Sequence, residues 1–212
     1  MKSVLVIGAS GQIGKMAVQK LLDNDHRVRA LVRDANKLGG LNHPNLDICE
    51  QDLEEDFSGA FQGMDTVVFA AGSGGSTGPD KTLLIDLWAA RNAAEFAVGA
   101  GVKHFVMVSS IGADDPDAVD SDIKPYLVAK HMADEHLQRS GLQYCILRPG
   151  SLLDEDANGK VTADRPDSRD DMVIAREDVA NVIALAVDVD DSKNRILELF
   201  KGSQDPAEVL KN

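Results

Sequence analysis

VLVIGASGQIGKMAV, residues 4–18, changes character at its glycines. Before Gly8 lies an apolar run of strand length, and after Gly11 the apolar residues fall at helical spacing. Gly8, Gly11 and Gly14 make a GxxGxxG series where strand passes into helix. A phosphate-binding turn needs glycine in that setting for the tight turn, for close approach of backbone to a pyrophosphate, and for packing of helix on strand. The helix N-terminus then faces the anion. Ser10 is no nucleophile elbow, because GxSxG would require glycine where Gln12 stands, and no GKS or GKT follows to make a P-loop.

The same alternation runs outward through the first 150 residues. SVLVIG, RVRALV, LDICEQD, DTVVFAAG, HFVMVSS and LQYCILRPG read as short strands buried on both faces, rich in Val, Ile and Leu. QIGKMAVQKLLDND, TLLIDLWAARNAAEFAVGAG and IKPYLVAKHMADEHLQRSG read as helices between them, with short turns of helix at DANKLGG and DFSGAFQG. Strand–helix alternation predicts an α/β fold of the Rossmann type: a doubly wound parallel sheet with right-handed crossovers, in a single domain over residues 1–212. Residues 150–175 are acidic and irregular and read most simply as a solvated loop region, whose position alone suggests that it covers a cleft at the strand C-termini. A helix, AREDVANVIALAVD, and a last strand, RILELF, complete the chain.

Composition excludes several classes. A net charge of -13 repels polyanions, so nucleic acid and anionic membrane are not expected partners, whereas a small anion in a local pocket is allowed. The chain goes from Met1 and Lys2 directly into a strand, and the expected location is the cytoplasm. Cys49 and Cys145 sit in apolar runs without ligand spacing and read as reduced core residues. The five histidines offer neither HxxxH nor HExxH, so no metal is expected. Trp88 and Phe96 read as core or interface residues, and the assembly as a monomer or homodimer.

Two further positions bear on chemistry. Arg33 stands about 20 residues beyond the glycine loop, where a cation can clamp a 2'-phosphate and an acid would bind a ribose. Asp34 is the competing residue, although RDANK also reads as a helix start capped by Asp34. NADP is therefore favoured, with NAD as the alternative. Tyr126 and Lys130, four apart in one helix, share a face and can converge on one bound molecule; the bland reading is a packed ring and a solvated amine.

With GASGQIG, ALVRD, FAAG, GVKHFVMVSSIGA, YLVAK, LRPGSLLDE and IAREDVA in order, essentially the whole chain resembles the short-chain dehydrogenase/reductase superfamily. It is most similar to the atypical NAD(P)H-binding branch, alongside NmrA-like, flavin-reductase-like and bacterial epimerase-like proteins. The resemblance implies that Gly8, Ser10, Gly11, Gln12, Ile13 and Gly14 cradle the phosphates and that Arg33 holds the 2'-phosphate. Asp52 and Leu53 would border the adenine, Ala70, Ala71 and Gly72 would run under the ribose, and Pro149 and Gly150 would flank the nicotinamide. Tyr126 would be the proton donor or acceptor, Lys130 would bind the nicotinamide ribose, and Ser110, rather than Ser109, would hold the substrate oxygen. Asp86 stands where more familiar reductases carry an asparagine in a water relay, as a catalytic candidate or a structural residue bonding to backbone.

The implied function is hydride transfer between NADP(H) and a small carbonyl, quinone or flavin-like acceptor. A sugar-nucleotide epimerase or dehydratase and a non-catalytic NADP-binding redox sensor are the alternatives. Only about 60 residues follow Gly150, fewer than the larger C-terminal domain of extended sugar-nucleotide enzymes.

Overall fold

The computed structural model describes residues 1–119 and 121–211. Its centre is an eight-stranded sheet in the order β3-β2-β1-β4-β5-β6-β10-β8. The parallel strands are β1 (Ser3–Ile7), β2 (Arg27–Val32), β3 (Leu46–Glu50), β4 (Thr66–Phe69), β5 (His104–Val108), β6 (Gln143–Pro149) and β10 (Arg195–Lys201). Between β6 and β10 the chain forms three short strands, β7 (Ser151–Leu153), β8 (Val161–Thr162) and β9 (Val173–Ala175). β8 closes one edge antiparallel to β10, and β7 pairs with β9 in a separate two-stranded ribbon. The 150–175 region is thus more ordered than its acidic sequence predicts. Its strands are too short for a side-chain period to reveal them.

Helices cover both faces. On one side lie α1 (Gln12–Asp23) and α5 (Arg176–Asp188). On the other lie α4 (Lys124–Arg139) and a long composite helix made of α2 (Pro79–Lys81), a π-helical segment (Thr82–Ala89) and α3 (Ala90–Gly99). α6 (Pro206–Val209) ends the fold. The period of two in β1 divides the core: Val4 and Val6 pack with the α1/α5 layer, Leu5 and Ile7 with the α3/α4 layer. Phe57 and Phe96 meet edge to face at 5.0 Å and anchor the second layer, whereas Trp88 is half-exposed with Arg91 over its ring.

Two strand expectations need correction. β3 is an edge strand, with no strand beyond it among the described residues, and leaves Ile48, Asp47 and Glu50 exposed. Cys49 on that strand is consequently only half-buried, while Cys145 in the middle of the sheet is buried and its thiol is pushed up to about 12 by burial.

His104 opens β5 with both ring nitrogens lacking a hydrogen-bond partner among the described residues. Burial, then the charges of Lys2 and Lys193, lower its pKa from 6.5 to about 4 against a smaller opposing effect of Asp190. Between those values the unfolded chain binds a proton that the folded chain refuses. Stability therefore falls as pH drops from about 6.5 to about 4 and this contribution levels off below, a total of roughly 3 kcal/mol. Urea unfolding across that range should show this slope in the parent protein and a flatter one in His104→Phe; equal slopes would assign the titration to other groups.

Candidate functional site

The order of the sheet reverses at β1: the chain leaves β1 toward β2 on one side and later returns to β4 on the other. A crevice opens above those two strand ends. Gly8 closes β1 with φ 82°, and a Cβ there would lie 2.6 Å from the backbone of Ala71, at the end of β4. The Gly11 N–H donates to Gly8 O at 3.0 Å, and Gly11 is the N-cap of α1. A Cβ on Gly14 would sit 2.2 Å from Gly8 O, so the helix can lie on the turn only with glycine at that position. Among the described residues no side chain caps α1, which leaves its first N–H groups for a ligand. The glycine cradle and the uncapped helix fit a pyrophosphate.

Two cavities, of about 440 and about 750 Å³, share Gly11, Ala70, Ala71, Gly72, Ser73 and Thr77 and form one cleft. The smaller brings together Gly8, Ser10, Arg33, Asp52 and Leu53, and also Lys37 and Gln51. The buried Oε1 of Gln51 has no partner among the described residues, an acceptor left open at the cavity wall. Asp34 does not line this cavity; its carboxylate accepts from the Asn36 N–H at 3.0 Å and caps a short 3₁₀ turn.

The larger cavity brings together Gln12, Ile13, Asp86, Ser109, Tyr126, Lys130 and Pro149. Three sequence candidates stand outside the lining. Gly14 packs α1 onto the turn, and Gly150 is needed where Met172 O would lie 2.4 Å from a Cβ. Ser110 turns its hydroxyl to Ile111 O at 3.1 Å, and it is Ser109 that meets the cleft.

Tyr126 and Lys130 project from the first turns of α4 into this cavity. Lys130 is buried; its Nζ donates to Val108 O at 3.2 Å, lies 3.2 Å from Asp86 Oδ1 and sits 5.6 Å from the Tyr126 ring centroid. Burial opposes its charge most strongly, yet the Asp86 and Asp134 carboxylates, together with the phenolate that Tyr126 becomes at the high pH where a lysine titrates, outweigh burial and raise the Lys130 pKa. Asp86 is delivered by the π-helical segment, a winding often found at functional sites. Its Oδ2 accepts from the Ser73 N–H at 3.1 Å, and a Cβ on Gly72 would come within 3.1 Å of its Oδ1. One carboxylate thus binds the buried ammonium and shapes the loop after β4.

A second buried cluster lies behind the first. The Ser109 hydroxyl donates to Asp134 Oδ2 at 2.8 Å, and Arg148 Nε donates to the same oxygen at 3.1 Å. Burial raises the Asp134 pKa in spite of Arg148 and Ser109, which pull it down. Sequence reading missed both charged residues, although Asp134 is four positions after Lys130 on one helical face and Arg148 is a lone charge in an apolar strand. Among the described residues, no helix is long and apolar enough to cross a membrane.

A doubly wound sheet with a glycine-lined cleft at its switch point defines a dinucleotide-binding protein. The chain belongs to the NAD(P)H-binding family, whose profile matches residues 8–190. An uncharacterised sugar epimerase of Bacillus subtilis, YhfK, is 42% identical over 212 residues, covering 98% of each chain. A Bacillus halodurans structure, provisionally named an NAD-dependent epimerase/dehydratase, is 41% identical with a TM-score of 0.92, covering 100% of this chain and 99% of that one. The oxidoreductase YlbE of Lactococcus lactis is 26% identical with a TM-score of 0.86, over 99% and 95% of the two chains.

Removing one partner of a buried ion pair leaves the other charge without compensation. Asp86→Ala should therefore destabilise the fold by about 3–5 kcal/mol in urea unfolding, and adding Lys130→Met should recover part of that loss. A loss below about 1 kcal/mol for the single change would mean that the Lys130 charge is compensated without Asp86.

Proposed function

We propose that this protein is an NADP(H)-dependent oxidoreductase that reduces a small carbonyl, quinone or flavin-like acceptor. The observation that carries the proposal is the convergence of Tyr126 and Lys130 on the cavity next to the glycine cradle. Glycine-loop backbone and the α1 N-terminus would hold the pyrophosphate; Arg33 and Lys37 would meet the 2'-phosphate; Gln51, Asp52 and Leu53 would meet the adenine. The nicotinamide, when bound, supplies the hydride.

The chain's own task is the proton. A carbonyl gaining a hydride becomes an alkoxide, and Tyr126 is the acid whose phenolic proton completes the alcohol. Lys130 has three N–H donors. One goes to Val108 O and one faces Asp86, which leaves the third for the cleft beside the tyrosine ring. Ser109 commits its own proton to Asp134, so toward the cleft it presents lone pairs and accepts from a hydroxyl. We assign the substrate-side serine role to Ser109 accordingly.

Arg33 on the cavity wall and Asp34 turned into its cap support NADP over NAD. Arg33→Ala should cost NADPH about 1.5–3 kcal/mol of binding and leave NADH nearly unchanged in calorimetric titration; equal affinities of the parent for both cofactors would defeat the assignment.

The epimerase names of two relatives favour a second reading, in which the cofactor is reduced and reoxidised within one turnover of a nucleotide sugar. Net NADPH oxidation across a panel of carbonyls, quinones and flavins separates the two, because an epimerase consumes none. Tyr126→Phe should lower turnover of an accepted carbonyl or quinone by about 10²-fold or more while NADPH affinity stays within a few-fold. Full turnover in that variant would remove the phenol from the proton step.

A further inference from the structure

The motif AREDV, at the start of α5, has no part in the proton chemistry, yet two of its charged side chains hold residues 157–159 and the third reaches the cleft. Asp178, buried, accepts from the N–H groups of Asn158 and Gly159 at 3.1 and 3.0 Å. Glu177 pairs with Lys20 of α1 at 3.0 Å and accepts from the Ala157 N–H at 3.5 Å. Arg176 reaches the other way, into the lining of the larger cavity. Its Nη1 donates to Asp154 Oδ1 at 2.8 Å and to Leu152 O at 3.3 Å. The same Asp154 oxygen accepts from Gln12 Nε2, on the first residue of α1, at 3.0 Å.

Asp154 is thus an oxyanion held between a guanidinium and an amide at the lip of the glycine cradle. Those donors suit a phosphate oxygen equally well. Asp154 is also 71% exposed, so its ion pair with Arg176 is a weak one that another anion can replace. The segment it belongs to is secured separately by Asp178 and Glu177, so Asp154 can let go without releasing residues 157–159.

Charge selects Arg176 as the group that gains from such an exchange. The chain carries a net charge of -13, and a dianionic pyrophosphate entering it requires a local cation. Arg176 and Lys130 are the two cations lining the larger cavity, and Lys130 already faces the buried Asp86. Nε and Nη2 of Arg176 make no hydrogen bond to the described residues. We infer that Arg176, with Gln12, binds the dinucleotide pyrophosphate on the side of the larger cavity, and that Asp154 is the displaceable counter-ion holding both side chains until the cofactor enters. The inference rests on the dinucleotide reading of the cleft and adds to it a binding residue from the far end of the chain.

Affinity for two probes tests it: NADPH, which carries the pyrophosphate, and adenosine 2'-phosphate, which lacks it and is measured by competition. Arg176→Gln should weaken NADPH about tenfold and leave adenosine 2'-phosphate unchanged. Asp154→Asn, an exposed and nearly isosteric change, should tighten NADPH several-fold and likewise leave the smaller probe unchanged. Unchanged NADPH affinity in Arg176→Gln overturns the inference, as does an equal loss for both probes, which would mark general damage to the cleft. Weaker NADPH binding in Asp154→Asn overturns the exchange, because Asp154 would then be supporting the bound state. If the parent binds neither probe and no NADH either, the dinucleotide reading itself fails, an outcome distinct from all of these.

Discussion

Everything at the site follows from one close approach: the backbone of Gly8 at the end of β1 against the backbone of Ala71 at the end of β4. Adjacent parallel strands whose continuations leave in opposite directions need a gap above their ends, and the two chains can turn away so near each other only without a Cβ at Gly8. The turn then presents its carbonyl to Gly14, which admits the helix, and leaves the first N–H groups of α1 pointing into the gap. A larger residue at Gly8 would push apart the two strands that define the cleft, and one at Gly14 would lift α1 off the turn.

Buried charge is the second organising element. Lys130 and Asp86 form one pair, in the lining of the larger cavity, and Arg148 and Asp134 another, buried behind it. Such pairs contribute little net stability, because desolvation offsets most of the attraction. Their value here is positional. Each ties an element on the helical layer to a strand end or to the loop after β4, and so fixes groups that border the cleft: the Ser109 hydroxyl through Asp134, the Ser73 N–H through Asp86, and Val108 O through Lys130. The cost of leaving any one partner alone makes the arrangement all-or-none.

The fold was legible in the sequence because its strands are buried on both faces and its helices are long enough to show a period, as in the contrast between residues 4–7 and 12–22. The glycine loop was legible because glycine in that context has a backbone reason to be there. Less was legible where a residue's role depends on direction. Ser109 and Ser110 are neighbours just beyond β5, and only the placement of Asp134 and Arg148 shows which hydroxyl meets the cleft. Arg176 lies 164 positions after Gln12, and no local pattern could link them before the β7/β9 ribbon carried the chain back over the loop.

The long helix before β5 changes its winding along its length, from Pro79 through the π-helical segment to Gly99. A wider turn shifts the angular phase of every residue after it relative to a uniform α-helix. Asp86 and Ala89 are thereby both buried, while Leu83, Leu84 and Trp88 look outward and Ala93, Ala94 and Ala97 keep an unbroken small-residue seam against the sheet. One rod therefore serves two clocks: its first half is timed to the cleft and its second to the core. The winding between residues 82 and 89 thus sets how the half that faces the cleft is turned relative to the half that faces the core.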